Sequence, residues 1–178
     1  MTMDEVVLLS PDGTEIGRVA KDAVHGADTP LHLAFSCYLL DDDGRLLVTR
    51  RALSKRSWPG VWTNSFCGHP LPGESVADAV RRHAVRELGV QLEELHLELP
   101  LFRYRAEDPS GVVEHELCPV YTARIASELQ PSPAEVMEHV WVRPDELAES
   151  ARTTPWAFSP WMVLQIELLE LFQKARAA

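Results

Sequence analysis

Apolar residues recur along the chain in short runs that end at turn residues, a pattern typical of β-strands. Val6 to Leu9 and Glu15 to Val19 flank the sequence Ser-Pro-Asp-Gly, which predicts a small N-terminal hairpin. Leu33 to Leu40 is a continuous apolar run that predicts a buried strand, and Asp-Asp-Asp-Gly turns it back into Leu46 to Arg50. The first part of the chain is therefore expected to form a sheet.

The rest of the chain combines strands with helices. The cation-rich stretch from Arg51 to Trp62 contains Pro-Gly and is interpreted as irregular. Further strands are predicted at Leu97 to Tyr104, Val112 to Ile125 and Val140 to Val142.

Apolar stripes of helical spacing predict the helices. Ser75 to Leu88 has capping residues at its start and Gly89 at its end, and Pro144 is suited to a helix start. Trp161 to Ala175 follows a proline and is amphipathic. These elements together predict an α/β (α+β) fold, with a mixed sheet flanked by helices.

Composition narrows the class of protein. The 178 residues, 46% hydrophobic and 25% charged, fit a single domain over residues 1–178. No apolar run has transmembrane length and Met1 to Glu5 is no leader, so a cytoplasmic protein without a membrane partner is expected. The three cysteines are expected to be free thiols. A net charge of −10 argues against a nucleic-acid partner, so an anionic substrate would need a metal ion and a few local cations.

Several side chains could form a metal site. Glu114 and Glu116 are two apart in a predicted strand and so share one face, and three histidines could join them. The five residues are His25, His32, His69, Glu114 and Glu116. Mixed nitrogen and oxygen ligands suit Mn²⁺ or Mg²⁺, and Zn²⁺ can also bind such a site. Any one of these histidines taken alone is as well explained as a surface or capping residue.

The stretch from Asn64 to Pro70 places a thiol and an imidazole where an apolar run gives way to a loop and then a helix. The residues around it reproduce the frame of the Nudix box, namely Gly68, Glu74, Arg82, Glu87 and Gly89. Two positions that carry carboxylates in that pattern hold His83 and Arg86 instead. With its Cys-Gly-His-Pro core, the chain resembles the type I isopentenyl-diphosphate isomerase family, whose Nudix fold does not hydrolyse its diphosphate. The likeness runs from about Lys21 to Trp161.

The resemblance implies roles for the metal ligands. The three histidines, Glu114 and Glu116 match the protein ligands of the family's tightly bound metal. Glu87 and the backbone carbonyl of Cys67 match the ligands of a second ion, Mg²⁺, which arrives with the diphosphate. Without the resemblance, Glu87 would be read as a solvated carboxylate at a helix end.

The resemblance also implies how the substrate is bound and converted. Lys21, Arg51 and Lys55 match the family's diphosphate-binding cations, and Arg82 is a further candidate. His83 stands where the family often carries a second arginine, which leaves the contact at that position open. Cys67 and Glu116 would exchange protons with the alkene, helped by Tyr104, while the indole face of Trp161 would stabilise a tertiary carbocation. Either Cys67 or Glu116 could give the first proton.

The implied reaction is the isomerisation of isopentenyl to dimethylallyl diphosphate in isoprenoid biosynthesis. One alternative is a Nudix diphosphate hydrolase, against which the missing carboxylates at His83 and Arg86 argue. Another is a binding module without turnover, against which the acid-base pair argues. The sequence leaves the native metal and the oligomeric state open, with a monomer favoured.

Overall fold

The structure, a computed structural model, describes residues 4–176, and the side chains of residues 4–173. Residues 1–3, which belong to the segment judged to be no leader, lie outside this range. The strands of the described residues are, in chain order, Glu5–Leu9 (β1), Glu15–Ala20 (β2), His32–Leu33 (β3), Phe35–Leu40 (β4), Leu46–Arg51 (β5), Trp62–Thr63 (β6), Phe66–Gly68 (β7), Leu92–Leu99 (β8), Arg103–Glu107 (β9), Val113–Leu117 (β10), Val120–Ile125 (β11) and Val136–Val142 (β12).

The helices lie between and after these strands. They are Lys21–Val24 (α1), Val76–His83 (α2), Pro144–Thr153 (α3), Pro160–Leu168 (α4) and Glu170–Arg176 (α5). A π-helical turn, Ala84–Leu88, continues α2, and a 3₁₀ turn, Pro155–Ala157, precedes α4. Within residues 4–176, the helices are too short or too polar to cross a bilayer.

The strands form two mixed sheets. The smaller sheet has the order β2-β1-β3-β10-β9, and the larger has the order β12-β5-β4-β11-β8, with β6 paired to β5 and β7 to β4. The predicted N-terminal hairpin is confirmed as β1 and β2, and the predicted helix from Ser75 is confirmed with Ser75 Oγ accepting a hydrogen bond from the N–H of Asp78. The predicted mixed-sheet architecture flanked by helices is confirmed, and its strands are divided between two sheets.

The two longest predicted strands, Leu33 to Leu40 and Val112 to Ile125, are each divided between the sheets. The first breaks at Ala34 and the second at Cys118-Pro119, and the two breaks lie side by side. The N–H of Ala34 donates to Leu117 O at 2.9 Å, and the N–H of Ser36 donates to Pro119 O at 3.1 Å. Pro119 has no N–H, so the ladder cannot run through it unbroken. An apolar run shows that a strand is buried but does not show which sheet it joins.

Three other boundaries differ from the predictions. The prediction of a single strand from Leu97 to Tyr104 is wrong. The strand β8 ends at Leu99, and β9 starts at Arg103 and belongs to the other sheet. Val140 to Val142 is only the end of β12. The predicted helix from Trp161 to Ala175 is broken at Leu169, whose backbone is extended and whose side chain is buried in the core. The break lets Leu169 and Phe172 both pack inwards.

The larger sheet is covered on both faces. Phe35, Cys37 and Leu39 of β4 point to a cluster that includes residues of α2, whereas Tyr38 packs with residues of α3, α4 and α5. This alternation follows from the two-residue period of a strand. The candidate site lies at the junction of the two sheets, which these helices leave open.

Candidate active site

A cavity of about 700 Å³ opens at the junction of the two sheets. The smaller sheet contributes Glu114 and Glu116 from β10, and the larger sheet contributes Cys67 and Gly68 from β7. Many of its other lining residues come from α1, from the loop after β5 and from the π turn after α2, and Tyr104 of β9 and Trp161 of α4 complete one wall. Most of the residues that the sequence suggested are therefore brought together, although they come from distant parts of the chain.

The three histidines and Glu116 surround one point at the base of this cavity. One ligand atom from each lies within 4.8 Å of those of the others. The imidazole centroids are 5.2 to 5.6 Å apart. Glu114 joins them, because its Oε2 lies 2.8 Å from His25 Nε2. All five residues predicted to bind metal therefore meet.

The polar atoms of this cluster show that it fits a cation. Nε2 of His25, His32 and His69 and Oε2 of Glu114 are buried, and none forms a hydrogen bond of good geometry among the described residues, although each lies within 3.5 Å of another member of the cluster. Each such buried group costs about 1–3 kcal/mol when it stays unpaired. Four converging nitrogen and oxygen atoms without a hydrogen bond match the ligand set of a divalent metal ion.

Further contacts orient these ligands. His32 Nδ1 lies 2.9 Å from Pro30 O, so Nδ1 donates a hydrogen bond to that carbonyl and Nε2 is the ring nitrogen that faces the cluster. The hydroxyl of Tyr104 donates to Glu116 Oε2 at 2.8 Å. The hydroxyl of Ser57 donates to Glu114 Oε1. Ser57 was not among the predicted residues, because nothing in an irregular loop sequence shows that one serine reaches β10.

The charges in the cluster follow from burial and proximity. Burial alone would raise the pKa of Glu116, but the imidazoles of His32 and His69 hold it well below the usual value. Burial lowers the pKa of His69 to about 4, against the opposing effect of Glu116. Glu116 is therefore a carboxylate and His69 a neutral imidazole at neutral pH.

Cys67 differs from the other two cysteines. It lines the cavity, whereas Cys37 and Cys118 are buried and are not among the lining residues. Its thiol donates to Asn64 Oδ1 at 3.3 Å and lies 3.4 Å from Ser36 Oγ. Burial raises the pKa of the Cys67 thiol to about 11, so the group carries its proton at neutral pH.

Asn64 connects the thiol to the aromatic wall. The indole N–H of Trp161 donates to Asn64 Oδ1 at 3.0 Å, the same oxygen that accepts from Cys67. The Asn64 amide group donates to two backbone carbonyls, at 3.1 and 2.9 Å. Asn64 begins the stretch from Asn64 to Pro70 that the sequence marks as a candidate site. Only the structure shows that it holds both Cys67 and Trp161.

Trp161 is both a core residue and a wall of the cavity. It is 2% exposed and packs against Tyr104, with ring centroids 5.5 Å apart. The guanidinium carbon of Arg51 lies 5.5 Å from the centre of the indole ring. Its π face therefore already accepts a cation.

The predicted diphosphate-binding cations are not all placed alike. Lys21, Arg51 and Lys55 line the cavity, and Lys55 is paired with Glu135. Burial, with the charge of nearby cations, lowers the pKa of Lys21. Arg82 is outside the lining and is held by Glu74 through two contacts of 2.8 and 2.7 Å. It also donates to His69 O at 3.1 Å, so in this structure it braces the loop that carries His69.

Two residues of the altered Nudix box also lie at the cavity. Glu87 lines it from the π turn, a feature frequent at functional sites. Burial would raise the pKa of Glu87, but the contact with His83 holds it below its usual value. Arg86, which was not predicted to bind substrate, lines the same cavity, and its Nη1 lies 3.0 Å from Asp4 Oδ2.

Comparison with known proteins adds to this geometry. The family model described as NUDIX domain matches residues 30–162. The chain is 63% identical over 164 residues to the isopentenyl-diphosphate Delta-isomerase of Agromyces mediolanus, which covers 92% of this chain and 80% of that protein. It is 61% identical over 168 residues to the protein of the same name from Leifsonia xyli subsp. xyli, covering 93% and 91%.

Solved structures resemble the fold. DR0079 from Deinococcus radiodurans superposes with a TM-score of 0.65 at 20% identity over 98% of both chains. The MutT NUDIX hydrolase from Burkholderia pseudomallei superposes with a TM-score of 0.60 at 25% identity, over 78% of this chain and 97% of that one. The predicted Nudix-type fold is confirmed.

Proposed function

The chain belongs to the isopentenyl-diphosphate Delta-isomerase family and carries a NUDIX domain, and we propose that it isomerises isopentenyl diphosphate to dimethylallyl diphosphate by a metal-dependent 1,3-allylic proton shift. The whole chain acts as one Nudix-type domain. The reaction needs one group that gives a proton to the terminal alkene carbon and one that removes a proton from the allylic carbon.

One observation carries the proposal: an acid-base pair of opposite protonation state borders a single cavity. The Cys67 thiol keeps its proton, and Glu116 is ionised. Tyr104 hydrogen-bonds to Glu116 and lies against Trp161, so it holds the carboxylate beside the aromatic wall. Cys67 and Glu116 together supply both proton transfers of the shift.

The five residues at the base of the cavity would hold Mn²⁺ or Mg²⁺, with Zn²⁺ as a further candidate. When bound, this ion supplies positive charge that fixes the position and ionisation of Glu116. Glu87 and the backbone carbonyl of Cys67 would hold a second ion, Mg²⁺, together with the diphosphate. An ion of this kind keeps several phosphate or water ligands, so few protein ligands suffice.

The remaining walls bind the diphosphate and protect the reaction. Lys21, Arg51 and Lys55 line the cavity and supply positive charge. Protonation of the alkene produces a tertiary carbocation, and the Trp161 face stabilises a desolvated cation by about 2 kcal/mol. The aromatic wall also excludes water, which would otherwise capture the cation as an alcohol.

The proposal is tested by incubating the protein with isopentenyl diphosphate in deuterated water. We expect deuterium in dimethylallyl diphosphate and no release of phosphate. Cys67→Ala should form no labelled product, while Cys37→Ala, at a buried thiol away from the cavity, should remain active. Release of phosphate without dimethylallyl diphosphate would instead support the Nudix hydrolase.

A further inference from the structure

His83 is the last residue of α2 and lies directly behind the cavity wall. Its side chain is 2% exposed, and its ring packs edge-on against Phe35 with centroids 5.3 Å apart. Its Nδ1 lies 2.6 Å from Glu87 Oε1, one helical turn further on. His83 therefore contacts a residue that lines the cavity.

The hydrogen bond between His83 and Glu87 has a defined donor and a defined acceptor. Mg²⁺ binds the ionised form of a glutamate, and a carboxylate only accepts hydrogen bonds. The hydrogen must then be on Nδ1, and His83 donates it. A glutamate side chain is otherwise free to adopt several rotamers, so this bond fixes one of its oxygens.

Gly68 shows that the ring has a defined place. A Cβ added to Gly68 would lie 2.5 Å from Cε1 and 2.6 Å from Nδ1 and Nε2 of His83. The backbone of β7 therefore lies directly against the imidazole. The ring is held by Phe35 and Gly68, which suits a donor that must not move.

We propose that His83 is a positioning residue that fixes Glu87 to bind Mg²⁺ together with the diphosphate of the substrate. His83 is not among the residues that line the cavity, and its Nδ1 is committed to the Glu87 carboxylate. Contacts that orient a metal ligand change metal affinity by about 10–100-fold. This inference rests on the proposed function, in which Glu87 binds Mg²⁺.

The test uses the full chain with Mg²⁺ and inorganic pyrophosphate as the probe, measured by titration calorimetry. His83→Leu introduces an apolar side chain of similar size and removes the donor, whereas His83→Asn keeps an N–H close to the position of Nδ1. We expect pyrophosphate affinity at saturating Mg²⁺ to fall about 10–100-fold in His83→Leu and to change little in His83→Asn. Without added Mg²⁺, both variants should match wild type.

A purely structural role predicts a different result. Both variants would then lose thermal stability alike and keep wild-type affinity for pyrophosphate at every Mg²⁺ concentration, which would overturn the proposal. Equal loss of affinity in His83→Leu and His83→Asn would overturn it as well.

Glu87→Gln provides a second measurement that leaves His83 in place. It should lose the Mg²⁺-dependent part of pyrophosphate binding, and adding His83→Leu to it should cause no further loss. A further loss in the double variant would contradict the proposed link. Pyrophosphate binding does not need isomerisation, so this inference can fail in an active isomerase and hold in an inactive protein.

Discussion

Gly68→Ala should destabilise the protein, and the reason is steric. The φ angle of Gly68 lies outside the left-handed region, so alanine causes no backbone strain there. The new methyl group would instead lie within 2.6 Å of three atoms of the His83 ring. That ring cannot move away easily, because it bonds to Glu87 and packs against Phe35.

Overpacking of a buried site by one carbon costs about 1–3 kcal/mol. For a chain of this size each kcal/mol lowers the melting temperature by about 2–4 °C, so we expect a decrease of about 2–12 °C. Urea denaturation followed by circular dichroism should give the same loss in the free energy of unfolding, with an unchanged m value. Gly17→Ala is the matched control, since its Cβ would meet only Leu8 at 3.9 Å.

A double-mutant cycle identifies the partner of the clash. In a His83→Ala background the ring is gone, so Gly68→Ala should cost less than about 0.5 kcal/mol, and the two substitutions should be strongly coupled. If Gly68→Ala were as stable as Gly17→Ala, or equally destabilising with and without the His83 ring, the reasoning would be refuted.

Three further predictions concern the chemistry. Cys67→Ala should slow dimethylallyl diphosphate formation about 10²–10⁴-fold while Cys118→Ala stays near wild type, and comparable losses would remove the special role of Cys67. Ser57→Ala should weaken metal retention against a chelator about 10–100-fold, because Glu114 loses the hydroxyl that orients it, and wild-type retention would contradict this. Trp161→Phe should retain more activity than Trp161→Leu, because phenylalanine keeps a weaker π face. An ammonium analogue of the carbocation should bind Trp161→Leu more weakly than wild type. Equal affinity of the analogue for wild type and both variants would show that Trp161 only contributes packing.

The sequence was sufficient for features that depend on neighbouring residues. The hairpin turn at Gly13, the cap at Ser75 and the end of the central helix at Gly89 follow from the conformations that those residue types prefer. The types of metal ligand could also be predicted, because imidazole and carboxylate chemistry does not depend on the fold. The resemblance of the chain to a known family then linked candidate ligands that lie far apart in the sequence.

The tertiary structure decided which side chains meet. An apolar run does not specify its partner strand, so the division of Leu33 to Leu40 between two sheets was not predictable. The sequence predicts that Arg82 binds the diphosphate, whereas the structure shows it bonded to Glu74. No spacing rule links Ser57 to Glu114. The His83 ring fills the space beside Gly68 because β7 and α2 pack together, and packing between distant segments is set by the whole core rather than by local sequence.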